Sequence, residues 1–312
     1  MHISNLVTLR RRLAARGLTP ASAVPESSGG RTEEACIRPA RLVEDIGLRC
    51  RAVGAAEPWP DPLAFLDGVQ RMQLVAYAGA APIYIAEIAA AVRERRGGRL
   101  LTVAEDRRRL AIARPGALSV AGDALNGIPT LALPEDEPPH PVRDLTLANR
   151  ALDRARGQLE LDLARAFRRG SDVWLLVDGS LAESPEWAGD PRAVGVSKSH
   201  ATLPFDGDDL NRYLRLPPGH RTSIFAPASR SVAPVHAWAL RLWDWEAKDL
   251  FHGLVRIEVA PANGVPAIAD LLSRRLLAER APISTPDPRW DRLLYGMHSV
   301  EQYLRSRAGM LA

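Results

Sequence analysis

The sequence predicts an α/β protein with a mixed sheet flanked by helices, and three observations carry that prediction. Strand-like runs, one long helix, two further strands and two closing helices follow one another in that order. Val173-Trp174-Leu175-Leu176-Val177 is an apolar run too continuous for an edge strand. Leu145, Ala148, Leu152, Ala155, Leu159, Leu163 and Ala166 recur at three- and four-residue spacing, which draws one apolar stripe along a helix over Asp144–Phe167.

Taken in order, residues 1–60 read as an N-terminal arm outside the core. Leu6–Arg16 has a helical pattern, and Ala21–Arg31 is a loop rich in Ser, Gly and Pro. Leu63–Tyr84 reads as strand, and Ile83–Val92 is apolar but fits either strand or helix. Leu100–Val103 and Leu110–Ala113 flank Glu105-Asp106-Arg107-Arg108, which reads as a hairpin with a polar tip. Gly116–Val142, rich in Pro, Gly and acidic residues, reads as an insertion. Beyond the long helix lie the Val173–Asp178 strand and a short strand over Ala193–Lys198. Trp238–Trp245 and Leu254–Val259 give a strand pair or a strand and a helix. Ala267–Arg280 and Trp290–Arg305 are amphipathic helices separated by the breaker-rich Ala281–Pro288. The division expected is an arm over 1–60, a candidate docking element, and one domain over 61–312.

The chain has 312 residues, 46% hydrophobic and 25% charged, the balance of a globular protein with a real core. Its apolar stretches, such as Ala80–Val92 with Glu87 inside it, fall short of the roughly 20 apolar residues a membrane helix needs. No apolar segment follows the N-terminal Met-His-Ile-Ser, so no secretory signal is visible. Cys36 and Cys50 alone build neither a disulfide framework nor a zinc site. A cytoplasmic, reduced protein is expected. The net charge of +4 favours an anionic partner only weakly. Of the 41 basic residues two are lysines, Lys198 and Lys248.

Two apolar strands end in the same dipeptide, Phe65-Leu66-Asp67-Gly68 and Leu176-Val177-Asp178-Gly179. An aspartate at the end of a buried strand is costly without a partner, and the glycine after it permits a sharp turn or a ligand's close approach. Asp-Gly is also an ordinary turn signal. Glu160, one step round the helix from the core-facing Leu159, could supply a third carboxylate, or could lie on a solvated face. Clustered carboxylates suit Mg²⁺ or Mn²⁺, and two such ions would serve phosphodiester cleavage. A phosphodiester is itself anionic, so a cation at hand would help, and Lys198 at a strand end could be that cation or a solubilising residue.

These residues resemble the motifs of the NurA nucleases. Phe65-Leu66-Asp67-Gly68-Val69-Gln70-Arg71 is similar to their first acidic motif. Trp174-Leu175-Leu176-Val177-Asp178-Gly179-Ser180-Leu181 is similar to their later strand motif, and Val194-Gly195-Val196-Ser197-Lys198-Ser199 to the lysine-bearing strand that follows. The resemblance spans roughly residues 60–305. It implies a ribonuclease-H-like fold, Mn²⁺- or Mg²⁺-dependent cleavage of DNA, a homodimer, and partnership with a HerA-like hexameric DNA-translocating ATPase. It also implies that Asp67, Glu160 and Asp178 are metal ligands, with Lys198 near the scissile phosphate. The family's closing Tyr-Pro pair is replaced by Tyr295-Gly296, and His298 or Glu301, three apart on one helical face, would complete the site. A second reading is a nuclease-like subunit without activity that binds DNA or docks on the ATPase. The sequence holds no Gly-x-Ser-x-Gly elbow, no Gly-x-x-x-x-Gly-Lys-Ser/Thr loop and no His-Glu-x-x-His.

Overall fold

A computed structural model describes residues 35–125, 127–228, 233–246, 248–280 and 294–307. The helix and loop expected over Leu6–Arg31, the breaker-rich Ala281–Pro288 and Trp290 lie outside these described residues. Short strands come first: β1 (Cys36–Ile37), β2 (Arg41–Leu42) and β3 (Cys50–Ala52). Three long ones follow, β4 (Leu63–Ala78), β5 (Ala81–Arg96) and β6 (Arg99–Ala113), then helix α1 (Pro115–Ala121), β7 (Thr130–Ala132) and helix α2 (Pro141–Arg168). Next are β8 (Trp174–Asp178), α3 (Pro185–Gly189), β9 (Ala193–Ser197), β10 (Thr202–Leu203) and α4 (Gly207–Leu214). The last are β11 (His220–Thr222), β12 (Phe225–Ala226), β13 (His236–Arg241), β14 (Leu254–Val259), α5 (Pro266–Glu279) and α6 (Tyr295–Arg307). Parallel and antiparallel pairs occur together, so the α/β class with mixed strand pairing holds.

The chain divides into two compact units, one holding residues 61–176 and 296–307, the other 35–60 and 177–295. The first is built on a meander in which β4 pairs antiparallel with β5 and β5 with β6, while β7 pairs parallel with β6. The hairpin tip expected at Glu105–Arg108 is instead mid-strand. The chain reverses at Gly97-Gly98, both at positive φ (54° and 74°), a conformation only glycine takes readily. The charges at 105–108 are tolerated within β6 because strand alternation hands them to opposite faces, where Arg107 bonds Glu87 and Arg108 bonds Asp106.

The supposed insertion over 116–142 carries α1, a turn of 3₁₀ helix and β7. Pro115 and Pro141 start α1 and α2, where a missing N–H costs nothing. His140 caps α2 by accepting from the Arg143 amide, and the helix buries Ala148, Ala151, Leu152, Leu159 and Leu163 against β5 and its neighbours β4 and β6. Arg114, just before α1, makes two hydrogen bonds (2.8 and 2.7 Å) to Asp144 in the first turn of α2.

In the second unit the strand order is β2-β12-β13-β14-β9, all pairs antiparallel, with β11 bridging β13 to β3 and β1 pairing parallel with β10. Residues 35–60, read from sequence as part of an outlying arm, are therefore strands of this unit. Its core gathers Leu48, Phe205, Tyr213, Leu216, Phe225 and Leu254. Buried Arg221 is held by Glu44 and Asp270. Trp238 is fully buried with its indole N–H on Ser273 Oγ (2.9 Å). No described helix is long and apolar enough to cross a membrane.

Candidate active site

Asp67 sits in β4, whose residues Leu63–Asp67 are all buried. Its Oδ1 accepts the Gly68 amide at 2.7 Å, which fixes the carboxylate at the point where the strand emerges from the core. Gly68 explains why a glycine follows. A Cβ there would stand 3.0 Å from both Cδ and Cγ of Glu160, and closer still to Oε1. The absent side chain is thus the room into which Glu160 reaches from α2. Glu160 is buried, and Arg156, one helical turn earlier, is its ion-pair partner. Arg156 also donates to Gln70 Oε1 (3.0 Å), and Gln70 donates to Asp153 Oδ1 (2.7 Å). A polar strap between β4 and α2 therefore holds the glutamate in place.

In the other unit, β8 ends at Asp178, and Lys198, just past β9, donates to its Oδ2 at 2.8 Å. Gly179 has φ 127° and gives its N–H to Val196 O (3.1 Å), so the turn after Asp178 is tied to β9. Gly195 permits this approach: a Cβ there would lie 2.8 Å from Gly179 O and 2.9 Å from Leu181 Cγ. Glu258 on β14 completes the support. Its Oε2 accepts Ser180 Oγ–H (2.6 Å) and the Leu181 amide (2.9 Å), and its Oε1 accepts Arg256 Nε–H (2.9 Å).

His298 and Glu301 lie on α6 in the first unit, Nδ1 and Oε2 3.8 Å apart, and Arg305 pairs with Glu301 at 2.7 Å. The helix docks where a Cβ on Gly296 would collide with the Phe65 ring. That contact leaves no space for a proline ring after Tyr295.

Thus Glu160 fills the gap at Gly68 and Asp67 accepts the Gly68 amide, Asp178 meets Lys198, and His298 meets Glu301; the Asp178–Lys198 pair belongs to a different unit from the other four. Among the described residues no three His, Cys, Asp or Glu side chains form a ready-made metal-ligand group. Asp67 and Glu160 are largely buried oxygen donors on opposite faces of β4, and oxygen donors are what a hard cation prefers, since Mg²⁺ commonly takes one or two carboxylates and completes its shell with water and substrate oxygens. Arg156, Gln70 and Glu258 were not singled out from sequence. The i, i+4 spacing of Arg156 and Glu160 was a usable signal, and so was a glutamate inside the apolar Leu254–Val259 strand.

The sequence matches no protein-family model and no curated protein. Its architecture is that of an α/β nuclease fold. Among solved structures it is similar to the crystal structure of the NurA nuclease from Sulfolobus solfataricus, with a TM-score of 0.50 and 10% identity, over 97% of this chain and 89% of that one. The chain therefore has a NurA-like fold.

Proposed function

We propose that this chain is a metal-dependent nuclease that cleaves the phosphodiester bonds of DNA, on a ribonuclease-H-like core. The observation that carries the reading is that the Glu160 carboxylate fills the gap left by Gly68, the residue that follows Asp67 on β4 and whose amide Asp67 accepts. Both acids are largely buried, and Arg156 already offsets the charge of Glu160, so a bound cation would compete with that ion pair for the carboxylate. Asp67 and Glu160 would hold Mn²⁺ or Mg²⁺, with Asp178 assigned as the third ligand by its motif. A pair of such ions would activate a water and stabilise the leaving oxygen. Gly68 orients Asp67 through its amide, Arg156 fixes the rotamer of Glu160, and Lys198 offers a positive charge to the scissile phosphate. His298 or Glu301 is the fourth group. The working assembly would be a homodimer in the cytoplasm acting with a HerA-like hexameric ATPase, in DNA end processing or defence against foreign DNA.

A second reading is a nuclease-like subunit that binds DNA or docks on the ATPase without cutting. It draws on the cations already paired with Glu160 and Asp178. Degradation of labelled linear DNA, with Mn²⁺, Mg²⁺ or EDTA and with or without a HerA-like ATPase, separates the two. Metal-dependent cleavage by the wild type, lost in Asp67→Ala and Asp178→Ala proteins that still fold, supports the enzyme. Absence of cleavage under all conditions leaves the binding subunit.

A further inference from the structure

Glu258 is a buried acid of the second unit that takes no part in the proposed chemistry. It lies in β14 between Ile257 and Val259, both fully buried, and is itself 1% exposed. A carboxylate at that depth is costly unless its oxygens are filled, and the donors that fill them come from two places. Oε1 accepts Arg256 Nε–H, from two residues earlier on the same face of β14. Oε2 accepts Ser180 Oγ–H and the Leu181 amide, both in the turn that follows Asp178. Arg256 alone offsets the charge within β14. The other two bonds reach across 78 and 77 residues of chain to the segment next to a candidate metal ligand.

The strand register explains that reach. Glu258 lies opposite Gly195 of β9, and Arg256 opposite Ser197. With no side chain at Gly195, the Gly179–Leu181 backbone settles against β9; a Cβ there would stand 3.3 Å from the Leu181 nitrogen as well as against the Gly179 carbonyl. Glu258 borders that gap and grips the turn from the β14 side, while Val196 O accepts the Gly179 amide from the β9 side. Ser180 passes the hold onward, since its Oγ also accepts the Ala182 amide at 3.2 Å. Residues 179, 180 and 181 are each tied down. Asp178 is therefore fixed between β8 and a clamped turn, and Lys198 meets it from the end of the same β9.

We propose that Glu258 is a positioning residue: by clamping Ser180 and Leu181 it sets the direction of the Asp178 carboxylate toward Lys198. The role given to Asp178 rests on the nuclease reading, but the clamp is tested without metal or cleavage. The chain's two lysines are Lys198 and Lys248, so full-length protein carrying ¹³C-lysine shows the pair directly. Lys248→Arg identifies the signal of the exposed lysine, and Asp178→Asn marks where the Lys198 Cε resonance goes once the charge pair is lost. Glu258→Gln offers one acceptor oxygen where two are used, so it cannot keep both Arg256 and the turn. In that variant the Lys198 resonance is expected to move toward the Asp178→Asn position. Metal-dependent cleavage should fall about tenfold or more, the scale found for groups that orient a metal ligand. Ser180→Ala removes one bond of the clamp and should move the resonance less, in the same direction; it decides the question if the glutamine variant does not fold. Trp238→Phe deletes a buried hydrogen bond elsewhere in the same unit and should leave the resonance in place. An unmoved resonance in folded Glu258→Gln and Ser180→Ala proteins, or an equal displacement in Trp238→Phe, would overturn the clamp. A displaced resonance together with no cleavage by the wild type would keep the clamp and reject the nuclease.

Discussion

Lys198 Nζ lies 2.8 Å from Asp178 Oδ2, with the lysine side chain 14% exposed and the aspartate 23%. A partly exposed pair of this kind contributes little to stability, about 0–1 kcal/mol. Lys198→Ala is expected to lower the cleavage rate by about 10²-fold or more, as loss of one charge-stabilising donor does elsewhere. The unfolding free energy should change by less than about 1 kcal/mol. Steady-state kinetics beside urea unfolding checks both halves; unchanged kcat would assign the lysine a structural role.

Gly68→Ala places a methyl group where the Glu160 carboxylate now rests. We expect loss of most of the metal-dependent cleavage, and a destabilisation of about 1–3 kcal/mol from overpacking. Gly195→Ala is the companion, because its Cβ would meet the Gly179 carbonyl rather than a side chain that can swing away. The Asp178 turn should then be displaced and activity fall as well. Wild-type activity in Gly68→Ala would remove Glu160 from the catalytic set.

The Arg114–Asp144 pair is a stability element without a role in the chemistry. Asp144 is fully buried, and the Arg114 hydrogen bond is the main reason its carboxyl is held below the usual value. Arg114→Met should cost about 3–5 kcal/mol by leaving a buried charge unpaired, and replacing both partners with apolar residues should recover much of that. Because the folded value is depressed, the wild-type contribution is present above the ordinary 3.8 and vanishes as pH falls through the folded value. Urea unfolding of wild type and both variants between pH 3 and 7 measures it.

His200 stacks on Phe251 (ring centroids 4.9 Å apart), and its Nε2 lies 3.0 Å from Leu254 O. Burial lowers its pKa to about 4, and burial lowers that of His252 to about 4 as well. An unfolded histidine titrates near 6.5, so between pH 6.5 and 4 the unfolded chain binds more protons than the folded one. Stability must fall with pH across that window. His200→Phe is expected to make the decline shallower while His252 preserves part of it. A slope equal to that of wild type would place the titration elsewhere.

Much of this was legible in the chain. The stripe from Leu145 to Ala166 gave α2, and the apolar run into Asp178 gave β8, because both signals are local. Residues 35–60 failed for the opposite reason. Cys36 pairs with Thr202, Arg41 with Ala226 and Cys50 with Thr222, and strands of two or three residues carry no periodicity of their own. The Glu105–Arg108 run was misread because four charges look like a turn until Glu87 appears across the strand. At the site, Asp67, Asp178 and their glycines stood out as acids ending apolar runs. Glu258 did not, since its partners Ser180 and Leu181 are 78 and 77 residues away.

The notch at Gly68 has one more consequence. The carboxylates that flank it, Asp67 and Glu160, come from a strand and a helix packed on each other, not from a loop. Their spacing is set by the same apolar contacts that stabilise the first unit. Carboxylates anchored in this way have few conformations open to them. They should therefore keep their geometry as temperature rises, up to the point where the packing of α2 on β4 and β5 itself gives way.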